Sequence, residues 1–465
     1  MNKVTIVYDD TRKPAKDIAS ITGKKSFGET IFKRKTLRER VYAIFEEMPE
    51  VERVVDASAK EILSLNGAYP ILLFYSDFGI VDGKLLQKLV YKACFAHEEY
   101  TVLCSDRIAG VIFTDAESFR KASIAKFDTY TRILSEGLVD LADITNFRTF
   151  ITSGFEARFF NSLSGDDYTL VKSSDNPDKL KAEYLYYGLL PENMKQWFVR
   201  PFDFKSDGGR ASYKMQRYHM TDLAIRYIHG SISEEEFRDI MAILFHFIGT
   251  RQRIDVSEAE YEAEAEKLYV KKVSDRLDML KESEGYSQIA ELVKNSTSFG
   301  SLDEIFEDYK KLYKKIRENK KFDHIKVIGH GDLCFSNILY SHDASLLLLI
   351  DPKGATVQEE MFMDPYYDLA KLSHSVCGHY DFFNSDLYEI EFDENLKTGI
   401  LVDADNRKYV EIFKEYLSSS GIDFRLIRLY EASLFLSMLP LHMDRPKKVF
   451  AFILNAVAIL NTLKE

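Results

Sequence analysis

The residues best suited to chemistry lie between Val327 and Asp351, in the run VIGHGDLCFSNILYSHDASLLLLID. His330, Gly331 and Asp332 follow a short apolar run, and Asn337 comes five residues after Asp332. Two strand-like segments, Ile338–Tyr340 and Leu346–Ile350, flank a polar turn, and Asp351 stands where the second ends. A hairpin of this length brings Asn337 and Asp351 to one edge. The loop and the hairpin then present Asp332, Asn337 and Asp351 to a single cleft. These groups suit phosphoryl transfer. Asn337 and Asp351 supply a neutral and an anionic oxygen for magnesium on nucleotide phosphates, and Asp332 is left to orient an attacking hydroxyl and accept its proton.

The segment HGDLCFSN resembles the catalytic loop, HxDxxxxN, of the aminoglycoside phosphotransferase and choline kinase family. IDPKG is similar to that family's second metal motif. Asp364-Pro365 and Asp368-Leu369-Ala370 resemble the DPxxDLA segment that follows it, in the same order and spacing. The resemblance extends over about residues 148–465. It implies a small-molecule kinase using ATP and Mg2+, with Asp332 as catalytic base, Asn337 and Asp351 as magnesium ligands, and His330 bracing the loop. It also implies a strand lysine paired with a helical glutamate to position the phosphates. Lys172, ending the run Tyr168–Val171, and Glu183, in the next helix, fit that pair. The turn Thr152–Glu156 stands where a loop would close over phosphates, without a GxGxxG pattern. Met215-Gln216-Arg217-Tyr218 stands where a hinge would meet adenine, so Met215 and Arg217 join the nucleotide site. Lys353, beside the metal aspartate, would reach a phosphate or an anionic acceptor, or face solvent. His374, His379 and Tyr380 would line an acceptor pocket or belong to the core.

The elements that must position these groups are legible from periodicity. Residues 1–145 alternate strands (Val4–Tyr8, Tyr69–Phe74, Thr101–Cys104, Gly110–Thr114) with helices (Thr36–Glu47, Leu85–Phe95), which predicts an α/β domain with a mostly parallel sheet. The pattern then changes. Phe147–Leu163 and Asp167–Ser173 are expected as strands, Pro177–Leu190 as a helix, and Phe198–Asp203 and Ala211–Arg217 as a strand pair. From about 220 the chain reads as helical. Ser233 with Glu236, and Ser301 with Glu304, have capping-box spacing. The charged stretch 257–283 reads as a solvated helix. The expected fold is therefore an α/β Rossmann-like N-terminal domain (1–145) joined to an α+β bilobal protein-kinase-like domain, with an N-lobe at 146–220 and a helical C-lobe at 221–465.

The N-terminal domain resembles the sugar nucleotidyltransferases in its first strand, its Lys33–Phe45 helix entry and its LLFYSDF segment, where Asp77 matches their metal aspartate. VYDDTRKPAK replaces their glycine-rich phosphate loop, so the resemblance implies a degenerate domain. Such a pairing of domains suggests surface-glycan or capsule precursor synthesis. Two other functions fit the sequence: a non-catalytic regulatory or assembly pseudokinase, and a bifunctional kinase and nucleotidyltransferase.

Composition narrows the classes further. The 465 residues exceed one domain. A net charge of −12 argues against coating nucleic acid, and the resemblance implies a small-molecule acceptor as partner. The four cysteines, Cys94, Cys104, Cys334 and Cys377, form no CxxC pair. No apolar run reaches the roughly 20 residues of a membrane span, and Val449–Leu460 fits a packed helix. With no basic-then-apolar leader at the start, the expected location is cytoplasmic.

Overall fold

Ile71–Tyr75 is buried at every position, as a strand covered on both faces must be. It sits third in a six-stranded sheet of order Val51–Asp56, Val4–Asp9, Ile71–Tyr75, Arg107–Phe113, Tyr100–Cys104, Thr131–Leu134. The structure, a computed structural model, describes all residues except 1–2, 33, 60–61, 63–64, 66–68, 123, 153–160, 166–167, 208, 319, 393–397 and 465. The chain divides into two compact units, Met1–Glu156 with His229–Ser231, and Ala157–Ile228 with Ile232–Glu465.

In the first unit three of the five described pairings in the sheet are parallel, as expected, and two are antiparallel. Val4–Asp9 pairs in parallel with both of its neighbours, but Arg107–Phe113 runs antiparallel to both of its own. The cause is local: only Ser105-Asp106 joins Tyr100–Cys104 to Arg107–Phe113, and so short a link permits only a hairpin. Ser105 takes the positive φ of 54° that such a turn demands. The helix Leu37–Glu46 begins at a full capping box between Thr36 and Glu39.

The second unit opens on a four-stranded antiparallel sheet of order Asn161–Gly165, Thr169–Ser174, Ala211–Gln216, Pro201–Ser206. The expected strand Phe147–Leu163 is replaced in its first part by a helix, Ile144–Thr152. There Phe147 and Ile151, four apart, are both buried on one face. The helix Pro177–Leu189 starts with Asn176 as its cap and Pro177 in its first turn. It packs on the sheet through Leu180, against Ala211, Tyr213 and Met215.

The remainder is helical, around a core built largely from Phe424–Met438 and Pro446–Lys464. Pro446–Lys464 is long and apolar enough to cross a membrane by length and composition, yet 67% of its most apolar window is buried inside the protein. The stretch 257–283 is not a solvated helix. It runs as Glu258–Glu266, a π turn at Lys267–Lys271 and Lys272–Lys281, and it buries Tyr261, Tyr269, Val273, Leu277 and Leu280. The caps at Ser233 and Ser301 form, each accepting the amide of the residue three on. Their glutamates go elsewhere: Glu236 takes a two-pronged bond from Arg226, and Glu304 accepts from Gly300 N.

Candidate active site

Two short three-stranded sheets frame the loop from His330 to Asn337. One contains Ile325–Ile328 and the other the hairpin Ile338–Ser341 with Leu346–Leu349. Hairpin register sets Ile338 opposite Leu349, and Ile350 N donates to Asn337 O at 3.0 Å, so Asn337 and Asp351 lie at the same open end. On the far side, Leu349 exchanges backbone bonds with Trp197 and Val199, which ties this hairpin to the segment leading into Pro201–Ser206.

Buried polar groups hold the loop. His330 is fully buried. Its Nε2–H donates to Ile350 O at 2.8 Å, which leaves Nδ1 to accept from Asp332 N at 3.2 Å. Burial lowers its pKa, in keeping with a neutral ring. Asp368, also fully buried, accepts from His330 N at 2.9 Å and from Gly331 N at 2.8 Å, and is neutralised by Arg251 at 3.0 Å. These bonds fix the backbone at Gly331, whose φ of +78° suits glycine. Lys353 N donates to His330 O at 2.9 Å, so the Asp351 loop lies directly against this one.

Asp351 itself adopts φ +56°, a conformation that costs a residue with a Cβ of the order of 1–3 kcal/mol. The next residues repay the strain by docking. Ala355 N donates to Ala182 O at 3.0 Å, and Gly354 lies so near that a Cβ there would come within 2.8 Å of Glu183 N. The loop after Asp351 is thus seated on the helix that carries Glu183.

Lys172 joins the two. Its ammonium, 4% exposed, donates to Glu183 and to Asp351 Oδ1, the latter at 2.8 Å. Tyr213 OH, from the neighbouring strand, donates to the same Glu183 oxygen. Burial opposes the lysine's charge, but Asp351 and Glu183 outweigh it and raise its pKa. Burial and the Asp351 charge push Glu183 up. One buried cation cannot fully neutralise two carboxylates. Asp351 is the more exposed of the two, at 43%, and opens on the cleft. That cleft is lined by Glu183, Phe198, Val199, Met215, Leu349 and Asp351, among others.

Asp332 is half exposed. Asn337 Nδ2 donates to Asp332 O at 2.8 Å and to Asp332 Oδ2 at 3.1 Å, and Lys371 Nζ lies 2.8 Å from Asp332 Oδ1. With its nitrogen engaged, Asn337 has Oδ1 as its remaining acceptor. Among the described residues no group of three or more His, Cys, Asp or Glu could hold a metal by itself.

The structure therefore brings together Lys172, Glu183, Asp351, Asn337 and Asp332, with Met215 in the cleft wall. Arg217 departs from expectation. It is not among the lining residues, and its amide is spent on Tyr168 O at 2.9 Å, which extends the strand ladder by one rung. Of the turn 152–156, residues 153–156 lie outside the described residues. His374 is a core residue, fully buried against Tyr380 and Phe435 with both ring centroids at 4.1 Å. Burial pushes its pKa down. Three positioning groups were not singled out from sequence: Arg251, Tyr213 and Lys371. Only Lys371 carried a signal, three residues after Asp368 in the DLAK run.

In the first unit Asp77 is buried and held by two arginines, Arg12 at 3.0 Å and Arg107 at 2.5 Å. Both carboxylate oxygens are taken, which leaves a poor metal ligand. Asp10 is likewise engaged, by Ser26, Gly28 and Arg38.

Solved structures similar to this chain include aminoglycoside phosphotransferase APH(4)-Ia, 11% identical, with 69% of this chain and 99% of that one covered at a TM-score of 0.39. The GDP complex of aminoglycoside 2'-phosphotransferase-IIIa is 12% identical, with 68% and 98% covered at 0.38. APH(3'')-Id from Streptomyces rimosus, in complex with ADP and streptomycin, is 17% identical, with 64% and 98% covered at 0.34. In structure, the chain is similar to the aminoglycoside phosphotransferases. No protein-family model and no curated protein matches its sequence.

Proposed function

We propose that the second unit, Ala157–Ile228 with Ile232–Glu465, forms an ATP- and magnesium-dependent small-molecule kinase. In this reading its residues up to about 220 are the nucleotide lobe and those beyond are the helical lobe. The observation that carries it is the buried Lys172 ammonium, hydrogen-bonded at once to Glu183 and to Asp351 Oδ1. A lysine held by a helical carboxylate at the mouth of a cleft is placed to meet phosphate oxygens, and an incoming phosphate would compete with Asp351 for it.

The donor set fits magnesium. Asn337 and Asp351 offer one amide and one carboxylate oxygen, and phosphate oxygens and water suffice to complete an all-oxygen shell. When bound, the ion would supply charge neutralisation on the phosphates. Asp332 Oδ2 faces the acceptor hydroxyl. The hydroxyl oxygen attacks the γ-phosphorus, the bond from that phosphorus to the β–γ bridging oxygen breaks, and its electron pair leaves with ADP. The hydroxyl proton passes to Asp332. Asn337 and Lys371 hold that carboxylate in place, and His330 and Asp368 hold its backbone.

Nucleotide binding, measured by thermal shift or calorimetry with and without magnesium, tests the reading. ATP affinity should rise with magnesium in the wild type, and Asp351→Asn should remove most of that gain. Asp332→Asn should keep ATP affinity and lose turnover by about 10²–10⁴-fold, the scale of a lost general base. Equal ATP affinity with and without magnesium in the wild type would refute it.

A further inference from the structure

The acceptor side of Asp332 is built from cations. Lys371, nearly buried, sits 2.8 Å from Asp332 Oδ1. One helical turn earlier on the same face of Tyr367–Val376 is Tyr367, whose hydroxyl accepts from Lys272 Nζ at 2.9 Å. Lys272 is the first residue after the π turn Lys267–Lys271, and such turns re-aim the side chains that follow them. Across the loop, Lys353 is exposed, and its Cβ lies 2.6 Å from where a Cβ on Gly331 would be. Burial alone would raise the Tyr367 phenol, yet Lys272 and Lys371 bring it below its ordinary value.

The chain has 74 acidic residues against 62 Lys and Arg, so carboxylates are plentiful. Among the described residues, however, none forms an ion pair with Lys272 or with Lys353. A half-buried ammonium bonded only to a phenol is an incomplete site, and an anion from outside completes it.

We propose that the acceptor is a small hydroxylated molecule carrying a phosphate or carboxylate group, which Lys272 and the Tyr367 hydroxyl bind while its hydroxyl meets Asp332. This rests on the kinase reading above. One helical turn, about 5.4 Å, separates Tyr367 from Lys371 along the helix. The anionic group and the reacting hydroxyl should therefore be a few bonds apart.

A matched three-carbon panel tests it on the full chain with ATP and magnesium: glycerol 3-phosphate, glyceric acid, glycerol and 3-amino-1,2-propanediol. The phosphate and carboxylate members should show kcat/KM at least tenfold above the other two, and which of them leads identifies the anion. Lys272→Gln should raise the KM for the preferred anionic member about tenfold, with Lys272→Arg restoring part of the loss. Preference for glycerol or the amine would overturn the proposal. A panel without turnover is decided by titrating inorganic phosphate into the protein. Binding that Lys272→Gln weakens tenfold upholds the proposal, and no phosphate binding by the wild type overturns it. Failure of the kinase reading would show separately, as loss of magnesium-dependent ATP binding.

Discussion

A single lysine between two carboxylates sets the character of the site. Replacing Lys172 by Ala would leave Glu183 buried with only the Tyr213 hydroxyl and bring it no cation, so both stability and nucleotide handling should suffer. Breaking one partner out of a buried pair typically costs about 3–5 kcal/mol. The expected outcome is a lower Tm together with a higher KM for ATP, a lower kcat, or both. Glu183→Ala should give a milder form of the same kinetic defect, because Glu183 orients the lysine and does not touch the nucleotide. A kinetic defect from Glu183→Ala with none from Lys172→Ala would contradict the pairing. Lys172 and Glu183 were legible because one ends an apolar strand run and the other falls on the helix that follows. Lys371 was not. A lysine on a helix normally reads as solvent-facing, and only the packing of Tyr367–Val376 beneath the loop turns it onto Asp332. The surroundings of Arg217 were not legible for a related reason: which backbone groups a hinge leaves free depends on how far the neighbouring strand continues, and here Tyr168 adds one more rung.

At the scale of elements, the loop after Asp351 depends on its seat against the Glu183 helix. Gly354 has φ +85°, and a Cβ there would meet Glu183 N at 2.8 Å. Gly354→Ala should therefore displace Asp351 and Glu183 together. Turnover should fall by at least tenfold with a stability loss of about 1–3 kcal/mol. Wild-type kinetics in that variant would show that the loop docks elsewhere. A second element carries a pH signature. Asp381, in the short helix Tyr380–Asn384, is buried, and burial pushes its carboxyl up to about 7. Asp222, which is electrostatically coupled to it, is also raised by burial to about 7. A carboxyl whose folded pKa lies above its unfolded value of about 3.9 binds more protons when folded. Its contribution is full below about pH 4 and is lost as pH rises through about 7. Asp381→Asn should thus raise Tm by a few degrees at pH 8 and by little at pH 4. A gain that is equal at both pH values would place the effect elsewhere. Element types were largely legible where apolar spacing was regular. The exceptions have physical causes. The sequence predicts a strand at Phe147–Leu163, but Phe147 and Ile151, four apart, share a helical face. In the first sheet the two-residue link at Ser105-Asp106 can join only antiparallel strands, so the antiparallel pair sits among parallel ones.

At the scale of the whole chain, the question is whether the first unit takes part in phosphoryl transfer. Its strand-end aspartate, Asp77, is expected from sequence as a metal-ligand match, and both of its oxygens are bound by Arg12 and Arg107. Arg107 is further shared with Asp140, and Arg12 also donates to Ile108 O, so Asp77 serves as the hub of a structural ion network. VYDDTRKPAK, at the end of the first strand, carries no glycine-rich loop. On the proposed reading the second unit supplies its own base and oxygen ligands, in Asp332, Asn337 and Asp351. Asp77→Asn should therefore separate stability from catalysis. Removing one charge from a buried carboxylate that holds two half-exposed arginines should lower Tm, by less than a fully buried pair would, because solvent already screens the arginines. The phosphoryl-transfer rate, assayed below the shifted Tm, should stay within about twofold. A loss of roughly a hundredfold in folded Asp77→Asn protein, the scale of a missing catalytic group, would mean that the first unit joins the reaction and that the division of labour between the two units is wrong.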